Sequence, residues 1–241
     1  MDGERIAKFL ARAGIASRRE AERMIAAGRI QVNGKTIETP ALGVTEQDEI
    51  SVDNEPIAKK QPTRLWRYHK SAGLMTTHND PQGRKTIFDA LPKSLPRLIT
   101  IGRLDYNTEG LLLLTNNGEL KRHLELPKTG WRRRYRVRAF GKTSDEKLKK
   151  LEQGVLLDGR KTAPIFAKIE SGKASNLWIS VTLSEGRNRE VRRVLEMQGL
   201  QINRLIRISF GPIALGKLSK CACQEISRRQ MKDHLGKDWF A

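Results

Sequence analysis

The sequence has few cysteines, few aromatic residues and no long apolar run, and these shortages exclude several classes of protein. Its only cysteines, Cys221 and Cys223, are too close together for a structural disulfide and too few for a secreted disulfide framework. No stretch approaches the ~18 consecutive apolar residues of a membrane span. The start, MDGERIAKFL, carries charge throughout and has no apolar signal core. We therefore expect a cytoplasmic protein with no membrane partner.

Acidic residues are also scarce relative to basic ones. The 241 residues include 46 lysines and arginines against 27 aspartates and glutamates, so the formal net charge is +19. A polyanionic partner suits such a charge, and nucleic acid is the better expectation once membranes are set aside. The four histidines show no ligand spacing with each other or with the cysteines, so we expect no metal site.

The first sixty residues are predicted to form a small separate domain. ERIAKFLARAG has apolar residues at helical spacing, and Ser17 followed by Glu20 has the pattern of a capping box for a second helix. IQVNGKTI alternates apolar and polar residues around Asn-Gly, which predicts a hairpin. The polar, proline-containing segment AKKQPTR, residues 58–64, is predicted to be a linker. We expect domains at 1–60 and 65–241.

The larger domain is predicted to be α+β. Short strand patterns recur with few helical patterns between them, which favours a mixed, mostly antiparallel sheet flanked by helices. Strands are predicted in LITIGRL, GLLLLT, RRYRVRAF, APIFAKIE, NLWISVTL and INRLIRISF. Helices are predicted from Ser144 to Gly154 and from Glu190 to Gln198.

The segment GRLDYNTEG places a carboxylate in this basic chain. Asp105 is expected on a turn between two buried strands, bracketed by Gly102 and Gly110, a common way to present a reactive group. The alternative is a turn aspartate that bonds nearby backbone amides. Local sequence alone favours that alternative.

Two further segments concentrate arginine. GWRRRYRVRAF surrounds Tyr135 with arginines, among them Arg132, Arg133 and Arg134. Guanidinium groups beside an aromatic ring suit RNA better than the alternative, an edge strand protected by charge. EGRNREVRR predicts a helix after a turn, and one buried arginine among Arg189 and Arg192 would keep Asp105 ionised and oriented. The alternative for this helix is a solvated basic stripe.

The first sixty residues resemble the alpha-L RNA-binding domain of a small-subunit ribosomal protein and of several RNA-modifying enzymes. The resemblance covers about residues 4–50, and the motifs that carry it include LARAGIASRREA and QVNG. Residues on this domain that we expect to contact RNA are Arg18, Arg19, Asn33 and Lys35. A solvated helix face is the alternative for any single arginine, and a helix-turn-helix DNA reader fits the hairpin poorly.

The whole chain resembles the Rsu family of ribosomal RNA pseudouridine synthases, whose members often carry an alpha-L domain in front. The motifs are GRLDYNTEGLLLLTNNGEL, RRYRV and EGRNREVRR, in that order. The resemblance implies the pseudouridine synthase fold, with Asp105 as the catalytic aspartate, Tyr135 packed on the target uracil and Arg192 paired with the aspartate. It also implies that Arg103 enters the RNA stack as the uridine leaves. One departure is HKSAG, where Ser71 replaces the usual proline after Lys70.

The resemblance implies an isomerase that converts one uridine, nearer in motif wording to the large-subunit members, to pseudouridine after base flipping. It further implies no cofactor, a monomer, and ribosomal RNA, free or in a pre-ribosomal particle, as partner. Arg187 and Arg189 join the RNA-binding set with Arg132, Arg133 and Arg134. Whether Asp105 attacks the anomeric carbon or removes a ribose proton stays open. The alternatives are a glycosidase-like pair of Asp105 with Glu109 and a non-catalytic ribosome-assembly factor that binds ribosomal RNA.

Overall fold

The computed structural model describes residues 3–57, 61–173, 175–236 and 239. Part of the predicted linker, residues 58–60, lies outside the described residues. The elements before it are β1 (Glu4–Arg5), α1 (Ile6–Arg12), α2 (Arg18–Ala26), β2 (Ile30–Val32), β3 (Lys35–Thr36), β4 (Gly43–Val44), β5 (Ile50–Val52) and β6 (Glu55–Pro56). They surround an apolar cluster of their own, drawn from residues 6–57.

The local signals of this first unit are mostly confirmed. The Ser17 Oγ accepts a hydrogen bond from the Glu20 amide at 3.1 Å, so Ser17 caps α2. The reciprocal half of the capping box is wrong, because the Glu20 carboxylate pairs with Arg23 on the next turn. Asn33 and Gly34 have φ values of 52° and 75° and form the tight turn of the β2–β3 hairpin.

A large sheet dominates the rest of the chain. The elements of this part of the chain are β7 (Leu65–Lys70), β8 (Ile99–Ile101), β9 (Thr108–Thr115), α3 (Gly118–Glu125), β10 (Arg133–Phe140), α4 (Asp145–Lys149), β11 (Leu156–Leu157), β12 (Arg160–Lys161), β13 (Phe166–Lys173), β14 (Asn176–Leu183), α5 (Glu190–Met197), β15 (Gln201–Phe210), β16 (Ile213–Ala214), β17 (Cys223–Glu225) and α6 (Arg228–Leu235). The strands β11 and β12 form a separate two-stranded hairpin. The strand order is β13-β14-β10-β15-β9-β7-β17, with β16 beside β15 and β8 beside β9. Only the β9–β15 pairing is parallel among the described pairs of this sheet, which confirms the mixed, mostly antiparallel α+β prediction.

The strand β9 is covered on both faces. Leu111 and Leu113 pack into a cluster with side chains of α3 and α6, while Leu112 and Leu114 pack into another with Trp66 of β7. All four leucines are fully buried. A strand buried on both sides is a rigid support for the loop that precedes it. Helices α4 and α5 cover the sheet at β10 and β14.

Candidate active site

The loop 102–107 is held at both ends by buried strands. Ile101 of β8 pairs with Leu113 of the antiparallel strand β9, so the chain enters the loop from the same sheet to which it returns. The Asp105 carbonyl accepts from the Thr108 amide at 2.9 Å and closes the turn. Its side chain is 32% exposed, and no hydrogen bond of the described residues engages the carboxylate. The backbone of Asp105 therefore builds the turn, while its carboxylate is left open to the site.

Gly110 is required where β9 meets β15. Its φ of 103° lies in the region that favours glycine, and an added Cβ would lie 2.2 Å from the Arg207 carbonyl oxygen. Gly110 and Arg207 are register partners in the parallel β9–β15 pair. The close backbone approach fixes where the strand after Asp105 joins the sheet.

A buried amine lies beneath the loop. The Lys70 Nζ is fully buried and donates to the carbonyl oxygens of Ser71 at 3.0 Å, Tyr106 at 3.1 Å and Thr108 at 2.9 Å. Burial lowers the pKa of Lys70 to about 8, opposed by the charges of Asp105 and Glu109. Lys70 thus ties the end of the loop, at Tyr106 and Thr108, to the chain that follows β7. At Ser71, where the family usually has proline, the hydroxyl lies 3.4 Å from the Cys221 Sγ.

Glu109 has a different environment from Asp105. It is 6% exposed and accepts from Arg204 Nε at 2.6 Å and Nη2 at 2.9 Å. Lys220 Nζ lies 3.0 Å from its second oxygen. These partners, Arg204 foremost, lower the pKa of Glu109 to about 2. Glu109 is fully engaged in an ion-pair cluster, which supports a structural role and disfavours the glycosidase-like pair.

Two arginines of the α5 region approach the loop, in an arrangement that differs from the prediction. The contact with Asp105 is made by Arg189, whose Nη1 lies 3.9 Å from the Asp105 Oδ2. Arg192 is buried, as expected of one arginine here, but it donates to the Asn107 carbonyl oxygen at 3.1 Å. Burial, reinforced by Arg189, lowers the pKa of Arg192, while the Asp105 charge opposes that shift. Arg192 therefore does not pair directly with Asp105, as had been predicted. It bonds instead to the loop at Asn107, two residues further on.

Arg189 has an unusual backbone for its position. It is the residue before α5 and has a left-handed conformation, with φ at 48°. Such a conformation is uncommon for a residue with a long side chain. The turn brings its guanidinium back toward Asp105 as α5 carries Arg192 beneath the loop. The Arg192 Nε is buried without a hydrogen-bond partner among the described residues.

Tyr135 and Arg103 differ in their surroundings and exposure. Tyr135 is half-buried on β10 and packs against both the core under α4 and α5 and the cluster that contains Leu104. Leu104, a member of that cluster, directly precedes Asp105. Arg103 is exposed, and no hydrogen bond or ion pair of the described residues involves its side chain.

The other predicted RNA-binding arginines divide into accessible and engaged groups. Arg132 and Arg134 are exposed. Arg133 is buried, with its guanidinium 4.7 Å from the Phe210 ring centroid and bonded to the Trp131 and Ser184 carbonyls. Its position corrects the RNA-contact prediction, because burial keeps its charge from a phosphate.

Arg187 also serves the fold. Its guanidinium donates to the carbonyl oxygens of Arg160 at 3.0 Å and Lys161 at 2.6 Å and pairs with Glu185 at 2.8 Å. It thereby ties the β11–β12 hairpin to the turn before α5. The predicted contact of Arg187 with RNA would have to compete with these bonds.

On the first unit, the residues predicted to contact RNA are all at the surface, but one of them is already engaged. Arg18, Arg19 and Lys35 are exposed. Asn33 is exposed as well, but its side chain donates to Asp48 at 2.8 Å and accepts from the Glu49 amide at 2.9 Å. These bonds fix the hairpin turn, so Asn33 shapes the surface more than it offers free polar atoms.

No residue pattern in the described part of the chain gathers three histidine, cysteine or acidic side chains for a metal ion. Within the same described ranges, none of the helices has the length and apolarity to cross a membrane.

Several residues that support the site were not predicted from the sequence. Arg204 and Lys220 are far from Glu109 along the chain, and no local signal connects them with it.

Comparison with known proteins agrees with the motifs. Residues 64–197 match the model of the RNA pseudouridylate synthase family, and residues 4–50 match that of the S4 domain. An uncharacterised RNA pseudouridine synthase of Rickettsia felis is 46% identical over 94% of this chain and 98% of its own length. Ribosomal large subunit pseudouridine synthase B of Yersinia pestis is 44% identical over 89% of this chain and 70% of its length. A crystal structure of a pseudouridylate synthase superposes with a TM-score of 0.67 at 25% identity, covering 96% of this chain and 99% of the other. The chain is therefore an isomerase of the RNA pseudouridine synthase family, with an S4 domain in front of its catalytic fold.

Proposed function

We propose that this chain converts a specific uridine of large-subunit ribosomal RNA to pseudouridine, with Asp105 as the catalytic group. The observation that supports this proposal most directly is that the Asp105 carboxylate is partly exposed and accepts no hydrogen bond from the described residues, on a loop that Lys70 and β9 hold in place. Relatives named ribosomal large subunit pseudouridine synthase B support the choice of large-subunit RNA. RNA is the partner that the S4 domain and the family imply.

The reaction rearranges bonds within one nucleotide. The bond between C1′ of the ribose and N1 of uracil breaks, the base turns, and C1′ bonds to C5, whose proton is replaced by one gained at N1. No group is added or lost overall. Asp105 either attacks C1′ or removes a ribose proton to give a glycal, and both roles need an ionised, oriented carboxylate. Arg189 supplies the adjacent positive charge, and Arg192 fixes the loop that carries Asp105.

The target uridine has to leave its stack to reach Asp105, at a cost of a few kcal/mol. Arg103 is exposed at the start of the loop, and its side chain is proposed to fill the vacated space. Tyr135 is proposed to pack on the extruded uracil. The accessible cations Arg18, Arg19, Lys35, Arg132 and Arg134 would hold phosphates elsewhere on the RNA. We infer a cytoplasmic monomer with domains at 1–60 and 65–241 that acts on free ribosomal RNA or on a pre-ribosomal particle.

The test is a map of pseudouridines in ribosomal RNA from cells with and without this protein. We expect one position of large-subunit RNA to lose its pseudouridine, and purified protein to restore it in a transcript made without modification. An unchanged map with accumulated ribosomal precursors would favour the non-catalytic assembly factor. A lost position in small-subunit RNA would overturn the choice of substrate but not the reaction.

A further inference from the structure

The strand β10 presents two chemically different faces. Tyr135, Val137 and Ala139 face the core under α4 and α5. The alternate residues Arg134, Arg136, Arg138 and Phe140 are exposed. The exposed arginines Arg134, Arg136 and Arg138 therefore lie on the side of the sheet opposite Tyr135 and the buried Arg133, on a separate surface.

This separate surface extends over three strands, and we name it the outer sheet face. Its exposed or half-buried members on β10, β14 and β13 are Arg134, Arg136, Arg138, Phe140, Trp178, Ser180, Thr182, Phe166, Lys168 and Glu170. The register aligns them in rows across the strands. Arg134 and Phe166 both pair with Thr182, and Arg136 and Lys168 both pair with Ser180.

The outer sheet face is positively charged. It carries four cations, Arg134, Arg136, Arg138 and Lys168, against Glu170, which gives 4 − 1 = +3. Glu170 is paired with Arg136 at 2.7 Å. Within the described ranges no ion pair involves the other three cations. A merely solvated face is expected to mix both signs, whereas a row of unpaired cations complements a polyanion.

Aromatic rings lie among these cations. Phe140 and Phe166 are 47% and 42% exposed, unusual for phenylalanine on a polar surface. The Arg136 guanidinium lies 4.5 Å from the Trp178 ring centroid, and that of Arg132 lies 5.5 Å from the Phe166 ring centroid. Both ring faces and guanidinium planes stack on unpaired bases. A duplex hides its base faces, so this combination fits single-stranded RNA best.

We propose that the outer sheet face binds a single-stranded segment of the RNA substrate, distinct from the segment whose uridine reaches Asp105. Arg134, Arg136 and Arg138 would contact phosphates. The rings of Phe140, Phe166 and Trp178 would stack on bases, the last together with the Arg136 guanidinium that lies over it. The inference rests on the proposed function, since it assumes that RNA is the substrate. It adds a second recognition surface, on the side of the sheet opposite Tyr135.

The first experiment removes the positive charge of the exposed arginines on β10. The variant Arg134→Gln/Arg136→Gln/Arg138→Gln in the full chain is compared with Lys147→Gln/Lys149→Gln/Lys150→Gln, whose exposed lysines lie on and just after α4. The probe is a fluorescein-labelled oligouridylate of about 12 nucleotides, the size range of single-strand sites. We expect roughly tenfold weaker binding and a salt slope reduced by about 2 in the arginine variant, against about twofold or less in the lysine control.

The second experiment removes the rings. Phe166→Leu/Trp178→Leu should weaken oligouridylate binding roughly threefold or more, leave the salt slope unchanged, and leave binding of a blunt RNA duplex of the same length unaffected. Circular dichroism and Tm verify that each variant is folded. The proposal is overturned if the arginine variant matches the lysine control, as it would if this face bound a protein. It is also overturned if the ring variant binds oligouridylate like wild type, since the face would then read phosphates alone.

These outcomes are independent of catalysis. If wild-type protein made no pseudouridine in any ribosomal RNA, the proposed function would fail whatever the oligouridylate data show. If wild-type protein is active and the arginine variant keeps its affinity, the second surface alone fails.

Discussion

Asp105 and Glu109 are four residues apart in one motif, yet their environments are opposite. Glu109 is buried at the start of β9 and meets Arg204 and Lys220 within 3.0 Å. Asp105 is a third exposed and meets one guanidinium, that of Arg189, at 3.9 Å. The basic protein thus neutralises the structural carboxylate completely and leaves the other only partly compensated. Incomplete pairing is what a carboxylate needs if it is to approach a ribose carbon or proton.

The charge of Lys70 interacts with both carboxylates. Its pKa is lowered by burial, and the charges of Asp105 and Glu109 oppose that shift. Its bonds, however, go to backbone carbonyls of Ser71, Tyr106 and Thr108. The amine therefore supports the loop without consuming the Asp105 carboxylate.

Removing the Asp105 charge should have the largest effect on the comparison. In Asp105→Asn we expect pseudouridine formation to fall about 10³-fold or more, because neither catalytic route survives without the carboxylate. RNA affinity and Tm should stay at wild-type values, since no hydrogen bond of the described residues uses that carboxylate. Single-turnover assays on a transcript, with anisotropy for binding, measure both. A turnover near wild type in this variant would remove Asp105 from the catalytic role.

The next effect concerns the arginines around Asp105. Arg192→Gln removes a buried guanidinium and its bond to the Asn107 carbonyl, so we expect a single-turnover rate lower by about a hundredfold at saturating RNA. Arg192→Lys should recover part of that rate, because it keeps the charge but not the fork geometry. Arg189→Gln, at an exposed side chain, should cost about tenfold or less.

If Arg189→Gln proved more damaging than Arg192→Gln at saturating RNA, the 3.9 Å contact would be the important one and the loop grip would be secondary. A change confined to RNA affinity in both variants would show that neither arginine acts on the Asp105 loop. The Asp105→Asn background provides the control for binding without turnover.

A third change tests Glu109. Glu109→Gln leaves Arg204 and Lys220 without their carboxylate, and a broken buried pair usually costs 3–5 kcal/mol. Because those cations are 40% and 58% exposed and can turn toward water, we expect a loss of about 2 kcal/mol in the free energy of unfolding at neutral pH. Urea denaturation measures it. The matched control is Glu225→Gln at the exposed pair with Arg64, which should lose less than about 1 kcal/mol. Equal losses would show that Glu109 is no more structural than a surface ion pair.

Local signals predicted much of this fold, and the misses have physical causes. The strands β8, β9, β10, β14 and β15 follow runs that alternate or are wholly apolar, so they could be predicted from local pattern. The helices α3 and α6 were not predicted, although Asn117 caps one and Ser227 with Gln230 forms a capping box for the other. Those signals were present but short and polar.

The site was predictable only in part. Asp105 and the burial of one α5 arginine followed from the motifs, but which arginine touches Asp105 depends on the left-handed turn at Arg189. The partnership of Glu109 with Arg204 spans 95 residues, and no local pattern reports such a contact. Strict alternation along β10 would have separated Arg133 and Tyr135 from the exposed arginines, and thereby removed Arg133 from the residues predicted to bind RNA.

The smallest expected effect is the pH dependence of the Glu109 cluster. The folded-state pKa of Glu109 is about 2, below its ordinary 4.5, so its stabilisation is fully present above the unfolded-state pKa and is lost as pH falls from about 4.5 toward 2. At pH 4 the stability gap between wild type and Glu109→Gln should therefore be narrower than at pH 7 by somewhat less than about 1 kcal/mol. The gap should stay constant between pH 6 and pH 8, because both the folded and the unfolded carboxyl are ionised there. Urea midpoints of the two proteins at these pH values measure the gap, and the Glu225→Gln gap should narrow far less. A Glu109 gap that is the same at pH 4 and pH 7 would mean that the charge of Glu109 does not stabilise the fold, and the contrast with Asp105 would then rest on burial alone.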